Sequence, residues 1–460
     1  MQFHTLQFAV FFAVVYAAYL ILPFRWQNWL LLGASYYFYC SWDWRFSFLL
    51  FAVTVLNFLG GALIASAPDE KTKKFRLFCC VFGNLAILGT FKYLGLLTGG
   101  SPWFSAVLPL GLSFYTFQMM SYPIDAGRGL LEPTRDFAGF ALFGSFFPTI
   151  VAGPIERARN LLPQISAPRT VTAQKVSEGA WLIFYGLYKK ILLADNLSRA
   201  TAPVFASPSS RSGATMLAAV YLFAFQIYAD FSGYSDMARG VARLMGFELS
   251  INFRTPFFSS NVSELWQRWH VSLTTWIKEY VFYPLALARP AGKVLSAALV
   301  TMITWTLFGL WHGASWKFVA WGLYHGALLV LYNRLRPFLN KSRISERFPR
   351  AWKILSAVFV FHLFAFGLLF FAAGSLGDAW TSMRVVFSGV PGSVNFSFIG
   401  FMALLAAPLF CIDFFIFKTD DEWAVFRLPA WGRGIVYFFM FYLIVFYGVF
   451  SAREYYYFRF

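Results

Sequence analysis

The chain reads as an all-α polytopic membrane protein of about 11 transmembrane helices, with re-entrant and interfacial helices among them. Three observations lead there. Of the 460 residues, 59% are hydrophobic and only 13% charged, far too apolar for a soluble globule of this length. Apolar runs long enough to cross a bilayer recur along the whole chain. Phe, Trp and Tyr make up 21%, as expected where aromatic belts mark both membrane interfaces.

Taken in order, 3–22 reads as a first span, retained because Pro23-Phe24-Arg25 follows it in place of a small-residue cleavage site. Spans over 26–40, 46–65 and 77–97 come next. Lys71, Lys73, Lys74 and Arg76 place their loop in the cytoplasm, and the uncharged turn 98–101 belongs outside. The middle is irregular. Segments 108–122 and 137–155 are apolar but rich in Gly and Pro, which break helices. Broken backbone at membrane depth must be buried in protein or line a wet cavity. Arginines on both flanks make 137–155 a re-entrant element. Helices are expected over 179–193, interrupted by Lys189-Lys190, and over 215–231. Residues 261–282 read as one amphipathic helix, with Leu265, Trp269, Leu273, Trp276 and Tyr280 sharing a face. Spans over 294–311 and 315–332 precede the basic stretch 334–353, the strongest cytoplasmic signal in the chain. The last spans are 354–371, 396–417 and 435–450, which leaves the tail SAREYYYFRF outside.

The 38 basic and 21 acidic residues give a net charge of +17. The basic residues collect in short loops, so they follow the positive-inside pattern and attract anionic lipid head groups; nucleic-acid binding is not expected. Cys40, Cys79, Cys80 and Cys411 lie in apolar runs without metal spacing and read as buried thiols, and no metal site is expected.

Several side chains carry chemistry. His312 and His325 lie inside the apolar stretch TWTLFGLWHGASWKFVAWGLYHG. An ionisable residue at membrane depth costs a few kcal/mol and usually faces a cavity. Gly313 lets another backbone or a ligand approach closely beside His312, and Trp311 can wall off water. The residues alone leave a packing histidine equally open. His270 is either functional or a solvated-face residue of its helix. Asp230 and Ser232 follow an uninterrupted apolar run; Asp236 reads as a helix cap. His362, without polar neighbours, reads as packing. The aromatic tail is either an interfacial anchor or a plug that enters the protein's own cavity.

Five stretches, LPLGLSFYTFQMMSYPID (108–125), AGPIERARNLLPQI (152–165), YADFSGYSDMARGVARLMGF (228–247), NFRTPFFSSNVSELWQRWHVSLTTWIKEYVFYPL (252–285) and GLWHGASWKFVAWGLYHG (309–326), resemble the membrane-bound O-acyltransferase (MBOAT) superfamily, in its alginate O-acetylation and teichoic-acid D-alanylation branch. The resemblance implies one transmembrane domain over 1–460 with a catalytic core at 108–335 and an aromatic tail at 451–460, its helices forming a ring around a central tunnel. It implies that the histidine of WHG, here His312, is the central catalytic residue, and that the histidine of RWH, here His270, is its partner. The tail is similar to a motif in which a tyrosine, here Tyr457, is proposed to carry the acyl group. Asp230, Ser232, Trp311, His325, Trp269 and Arg268 are substrate or tunnel candidates beside them.

The function implied is that of a multi-pass enzyme of the inner membrane that moves acetyl from acetyl-CoA to an extracytoplasmic polysaccharide or cell-wall glycan. A periplasmic or extracellular acetyltransferase partner is expected to finish the transfer. Two alternatives stand beside it: D-alanyl transfer from a carrier-protein thioester, and, outside the enzyme class, a transporter or flippase.

Overall fold

The computed structural model describes residues 1–97, 109–288, 295–339, 346–388, 396–450 and 455–456, and among them there is no β-strand. The turn 98–101, residue 108, part of the basic stretch (340–345) and Tyr457 lie outside the described residues. Among the described residues six helices are long and apolar enough to cross a membrane: Phe46–Ala65, Glu70–Tyr93, Gly213–Leu244, Pro349–Ala372, Ile399–Thr419 and Ala430–Tyr447. Leu6–Ile21 and Ala297–His312 are apolar but shorter. The chain is therefore an all-α, multi-pass membrane protein.

The described chain divides into two compact units. The first comprises Met1–Gly186 and Tyr234–Ser250. It contains α1 (Leu6–Ile21), α2 (Phe24–Asp43), α3 (Phe46–Ala65), α4 (Glu70–Leu97), α5 (Leu112–Gly127), α6 (Phe137–Ser145), α7 (Ala158–Ser166) and α8 (Ala173–Leu187). Within it α3 packs on α4 and α5. The α3–α4 contact is fixed by buried amides: Asn57 Nδ2 donates to Asn84 Oδ1 at 2.8 Å, and Asn84 Nδ2 returns a bond to Asn57 Oδ1 at 3.0 Å. Helix α5 is buried on every side, polar residues included. Polar residues of α5, with Ser35 of α2, support the last turn of α6 and the irregular backbone that follows it. Gln118 Nε2 donates to the Phe143 carbonyl at 2.6 Å, Ser35 Oγ accepts from Phe147 N at 3.1 Å, and Ser121 Oγ accepts from Ala158 N at 3.2 Å. Side chains thus satisfy buried peptide groups that no helix pairs. The nine residues of α6 are fewer than half of what spans a hydrocarbon core, in line with the Gly and Pro density of 137–155.

The second unit comprises Leu187–Gly233 and Ile251–Phe460. Its elements include a π-helical turn at Tyr188–Ala194, α9 (Asp195–Ala206), most of α10 (Gly213–Leu244), α11 (Val262–Arg268), α12 (Val271–Ile277), α13 (Tyr283–Leu287), α14 (Ala297–His312) and α15 (Trp316–Leu339). They continue with α16 (Pro349–Gly367), α17 (Leu369–Ala372), α18 (Leu376–Phe387), α19 (Phe396–Thr419) and α20 (Ala430–Tyr447). Of α20 only Met440 and Ile444 are buried, while Phe438, Phe439, Phe441 and Phe446 face outward. An apolar outer face of that kind meets lipid, not water.

The expected interruption at Lys189-Lys190 is there: the α-helix ends at Leu187, widens into a π-turn and continues as α9. Three expectations need correction. The helix expected to end near Phe231 runs on to Leu244, so Asp236 sits mid-helix and caps nothing. Residues 261–282 are not one helix but break at Trp269–His270, where backbone groups at 252–254 take up the helix's hydrogen bonds. Of the cysteines only Cys80 is buried; Cys79 and Cys411 are exposed on their helices, because an apolar residue on a membrane helix can face lipid as well as protein.

Candidate active site

Every candidate site residue among the described residues lies in the second unit. The scaffold is the α14–α15 hairpin, whose helices cross at glycine. A Cβ on Gly309 would lie 2.1 Å from the Phe318 carbonyl oxygen, and one on Gly322 would lie 2.2 Å from the Trp305 carbonyl oxygen. Both contacts are with backbone, so only glycine permits the crossing. Helix α14 ends at His312 because Gly313 turns extended, and what approaches Gly313 closely is neither a backbone nor a ligand but the Phe318 ring, 2.3 Å from where a Cβ would stand.

His312 is 5% exposed. Its ring stacks on Phe308 with centroids 5.2 Å apart and meets Trp311, Trp321 and Phe371 nearly edge-on at 5.0, 4.9 and 4.8 Å. Walls of this kind exclude bulk water from an imidazole, which raises the value of any proton transfer it makes.

His270 stands at the break between α11 and α12. The segment at 252–254 takes the peptide groups that a continuous helix would need: Arg254 N donates to the Arg268 carbonyl and Val271 N to the Asn252 carbonyl, each at 2.9 Å. His270 is thereby held left-handed, with φ 46° and ψ 51°, a conformation sparsely populated by non-glycine residues. The face read from spacing survives the break, since Leu265, Trp269, Leu273, Trp276 and Tyr280 are all buried.

The Asn252 side chain decides the tautomer. Its Oδ1 accepts from Ser272 Oγ at 2.9 Å and Ser272 N at 3.3 Å, which identifies it as the oxygen. His270 Nδ1, 2.9 Å away, must then carry the ring proton, leaving a lone pair on Nε2. Burial pushes the imidazole down to about 3, which favours the neutral ring. Trp311 lies near both histidines, 6.2 Å from the His270 ring and 5.0 Å from that of His312. Replacing Asn252 by Ala removes the acceptor that three buried donors share. The expected cost is about 1–3 kcal/mol per group, seen as a lower Tm, with slower turnover as His270 loses its orientation; a Tm and rate equal to wild type would count against this role for Asn252.

The other candidates divide. Trp269 packs among Phe253, Phe257 and Phe364. Arg268 pairs with Glu264 one turn back at 3.0 Å, a partly exposed ion pair of small value. His325 is fully buried against Trp266, Trp305, Trp321 and Tyr324, and neither ring nitrogen has a hydrogen-bond partner among the described residues. Ser232 Oγ likewise has none there. Asp230 is 3% exposed and is ion-paired to the equally buried Lys190. His362 Nδ1 donates to the Val358 carbonyl, 2.7 Å away, and the ring packs on Tyr221.

Sequence reasoning missed Asn252, Trp321, Phe371 and Lys190. Lys190 carried a signal, an amine in an apolar run. Tyr455 and Tyr456 were open beside Tyr457 as the acyl-carrying position. Asn252 lies 18 residues from His270 and is paired with it only by the fold. Among the described residues no three His, Cys, Asp or Glu side chains come together as a metal site.

A multi-span helical fold whose glycine-crossed hairpin holds a buried histidine in an aromatic box defines a membrane-embedded acyltransferase once its relatives are considered. Residues 131–373 match the model of the membrane-bound O-acyltransferase family. The chain is 36% identical to the probable alginate O-acetylase AlgI of Azotobacter vinelandii, over 82% of this chain and 76% of that protein. It is 30% identical to the peptidoglycan O-acetyltransferase of Helicobacter pylori, over 76% and 72%, and 29% identical to the teichoic acid D-alanyltransferase of Bacillus subtilis, over 57% and 68%. The protein belongs to the membrane-bound O-acyltransferase family and is an O-acyl-transferring enzyme.

Proposed function

We propose that this protein is an inner-membrane O-acetyltransferase that takes acetyl from acetyl-CoA on the cytoplasmic side and delivers it to an extracytoplasmic polysaccharide or cell-wall glycan. The observation that carries the reading is the juxtaposition of His312 with the tail. The Tyr456 hydroxyl donates to the Phe371 carbonyl at 3.3 Å, and the Phe371 ring lies against His312. Acetyl is favoured over D-alanyl because the alginate O-acetylase relative aligns over more of the chain, and at higher identity, than the D-alanyltransferase does.

In this reading His312 is the general base. Its imidazole takes the proton of an acceptor hydroxyl, the oxygen attacks the thioester carbonyl, the C–S bond breaks, and the leaving thiolate takes the proton back from the imidazolium. The first acceptor is the phenol of Tyr457, whose reference pKa near 10 makes it easier to deprotonate than a sugar hydroxyl. The tyrosyl ester stays activated for a second transfer. That transfer goes to the glycan or to an extracytoplasmic partner acetyltransferase. His270, neutral and fixed by Asn252, positions Trp311 and through it His312. The proposal takes the chain as one domain with its core at 108–335, a ring of about 11 helices around a tunnel, and a tail on the outer face. The test is mass spectrometry of the C-terminal peptide after incubation of the purified protein with acetyl-CoA. An acetyl group on Tyr457 is expected. An unmodified tail, together with full activity of Tyr457→Phe, would rule out the relay, and substrate crossing liposomes with the donor left intact would favour a transporter.

A further inference from the structure

The buried ion cluster beside the tail is unexplained by the chemistry at His312. Lys190 is 1% exposed, Asp195 and Asp230 3% each. Lys190 Nζ donates to Asp195 Oδ1 and to Asp230 Oδ1, both at 2.9 Å. Buried charges of this kind are weak evidence for stability, since well-packed apolar residues often do as well. A specific task is the better reason for three of them.

The tail supplies that task. The second carboxylate oxygen of Asp230 accepts the main-chain N–H of Tyr456 at 2.7 Å. The Tyr455 ring, 1% exposed, lies over the Lys190 ammonium at 4.3 Å from its centroid. The chain leading to the tail is held by the same region: Val449 N donates to the Ile191 carbonyl, and Asn196 Nδ2 donates to the Tyr447 carbonyl, both at 2.8 Å. Ile191 and Lys190 belong to the π-turn, and such turns recur at functional sites. One buried carboxylate therefore joins the ammonium beneath one tail tyrosine to the backbone of the next.

We propose that Lys190, Asp195 and Asp230 are positioning residues that grip the tail at Tyr455 and Tyr456 and thereby set which tyrosine hydroxyl is presented to His312. This deepens the acyl-relay reading and rests on it for the identity of the transferred group. The grip itself does not depend on it. The Tyr455 ring is committed to Lys190. Tyr456 is held by its N–H, and its hydroxyl rests on the Phe371 carbonyl.

The experiment uses the full-length protein in nanodiscs, with two readouts. Carboxypeptidase digestion followed by intact mass reports where trimming stops. Peptide mass spectrometry after incubation with acetyl-CoA reports how acetyl is distributed over the three tail tyrosines. In wild type, trimming should stop before Tyr456 is removed, and acetyl should concentrate on one tyrosine. The double variant Lys190→Met/Asp195→Asn, which keeps the cluster's formal charge at −1, should be trimmed past Tyr455. Its tail acetylation should fall at least tenfold or spread over all three positions. Lys190→Arg, which keeps a cation under the ring, should restore both readouts. If the double variant does not elute as a folded protein, Tyr455→Leu loosens the same grip from the tail side and should show the same change in trimming. A tail that stays protected with its acetyl pattern unchanged in these variants overturns the proposal. A wild-type tail that is gripped but never acetylated leaves the grip standing and removes the relay.

Discussion

His312→Ala should slow the release of free thiol from acetyl-CoA by about 10²–10⁴, the usual contribution of a positioned general base. The protein should still fold, because the ring occupies the end of α14 and its loss leaves the Gly309–Gly322 crossing intact. Size-exclusion profile and Tm check the fold, and thiol release checks the chemistry. His312→Gln separates the two roles further: it keeps a polar side chain in the aromatic box but cannot accept and return a proton near neutral pH. It should be as inactive as the alanine variant. Wild-type thiol release by either folded variant would remove His312 from the reaction.

The second large effect is on folding. Gly322→Ala forces a methyl group to within 2.2 Å of the Trp305 carbonyl oxygen, and the atoms in the way are backbone, which cannot swing aside. Overpacking of this kind costs about 1–3 kcal/mol and sometimes more. The α14–α15 crossing must open, and with it the box around His312. A marked loss of Tm and of thiol release is expected together. Gly89→Ala is the control: a Cβ there meets nothing within 4 Å, and alanine favours a helix by about 1 kcal/mol over glycine. It should be neutral or slightly stabilising. Equal stability of the two variants would show that the crossing is looser than its geometry implies.

Legibility in the sequence followed the range of the forces involved. The long apolar helices were readable because membrane insertion depends on local hydrophobicity alone. The 46–65 span agrees to the residue, and the five residues given to the apolar face of 261–282 are all buried, though Ser272, assigned elsewhere, is buried with them. What periodicity could not show was the break at His270. It is made by backbone groups at 252–254, distant in sequence, competing for the helix's own hydrogen bonds. The end of α10 was missed for the opposite reason. Asp230, Ser232 and Asp236 look like interface residues, yet burial of Asp230 and Ser232 and an ammonium partner at Asp230 let the helix continue through them. The cysteines were misjudged similarly, since an apolar run says that a residue is in the membrane and not which way it faces.

Hydrophobic runs and the motifs around His312 and His270 are written in contiguous residues. They suffice to establish a multi-span helical membrane protein of the acyltransferase family and to single out both histidines. Folding alone reveals that Asn252 assigns the His270 proton, that Trp311 lies near both rings, and that Lys190 and Asp230 hold the tail. The contacts behind the first and last of these join side chains and backbone 18 to 226 positions apart, and no local pattern encodes a contact across that distance.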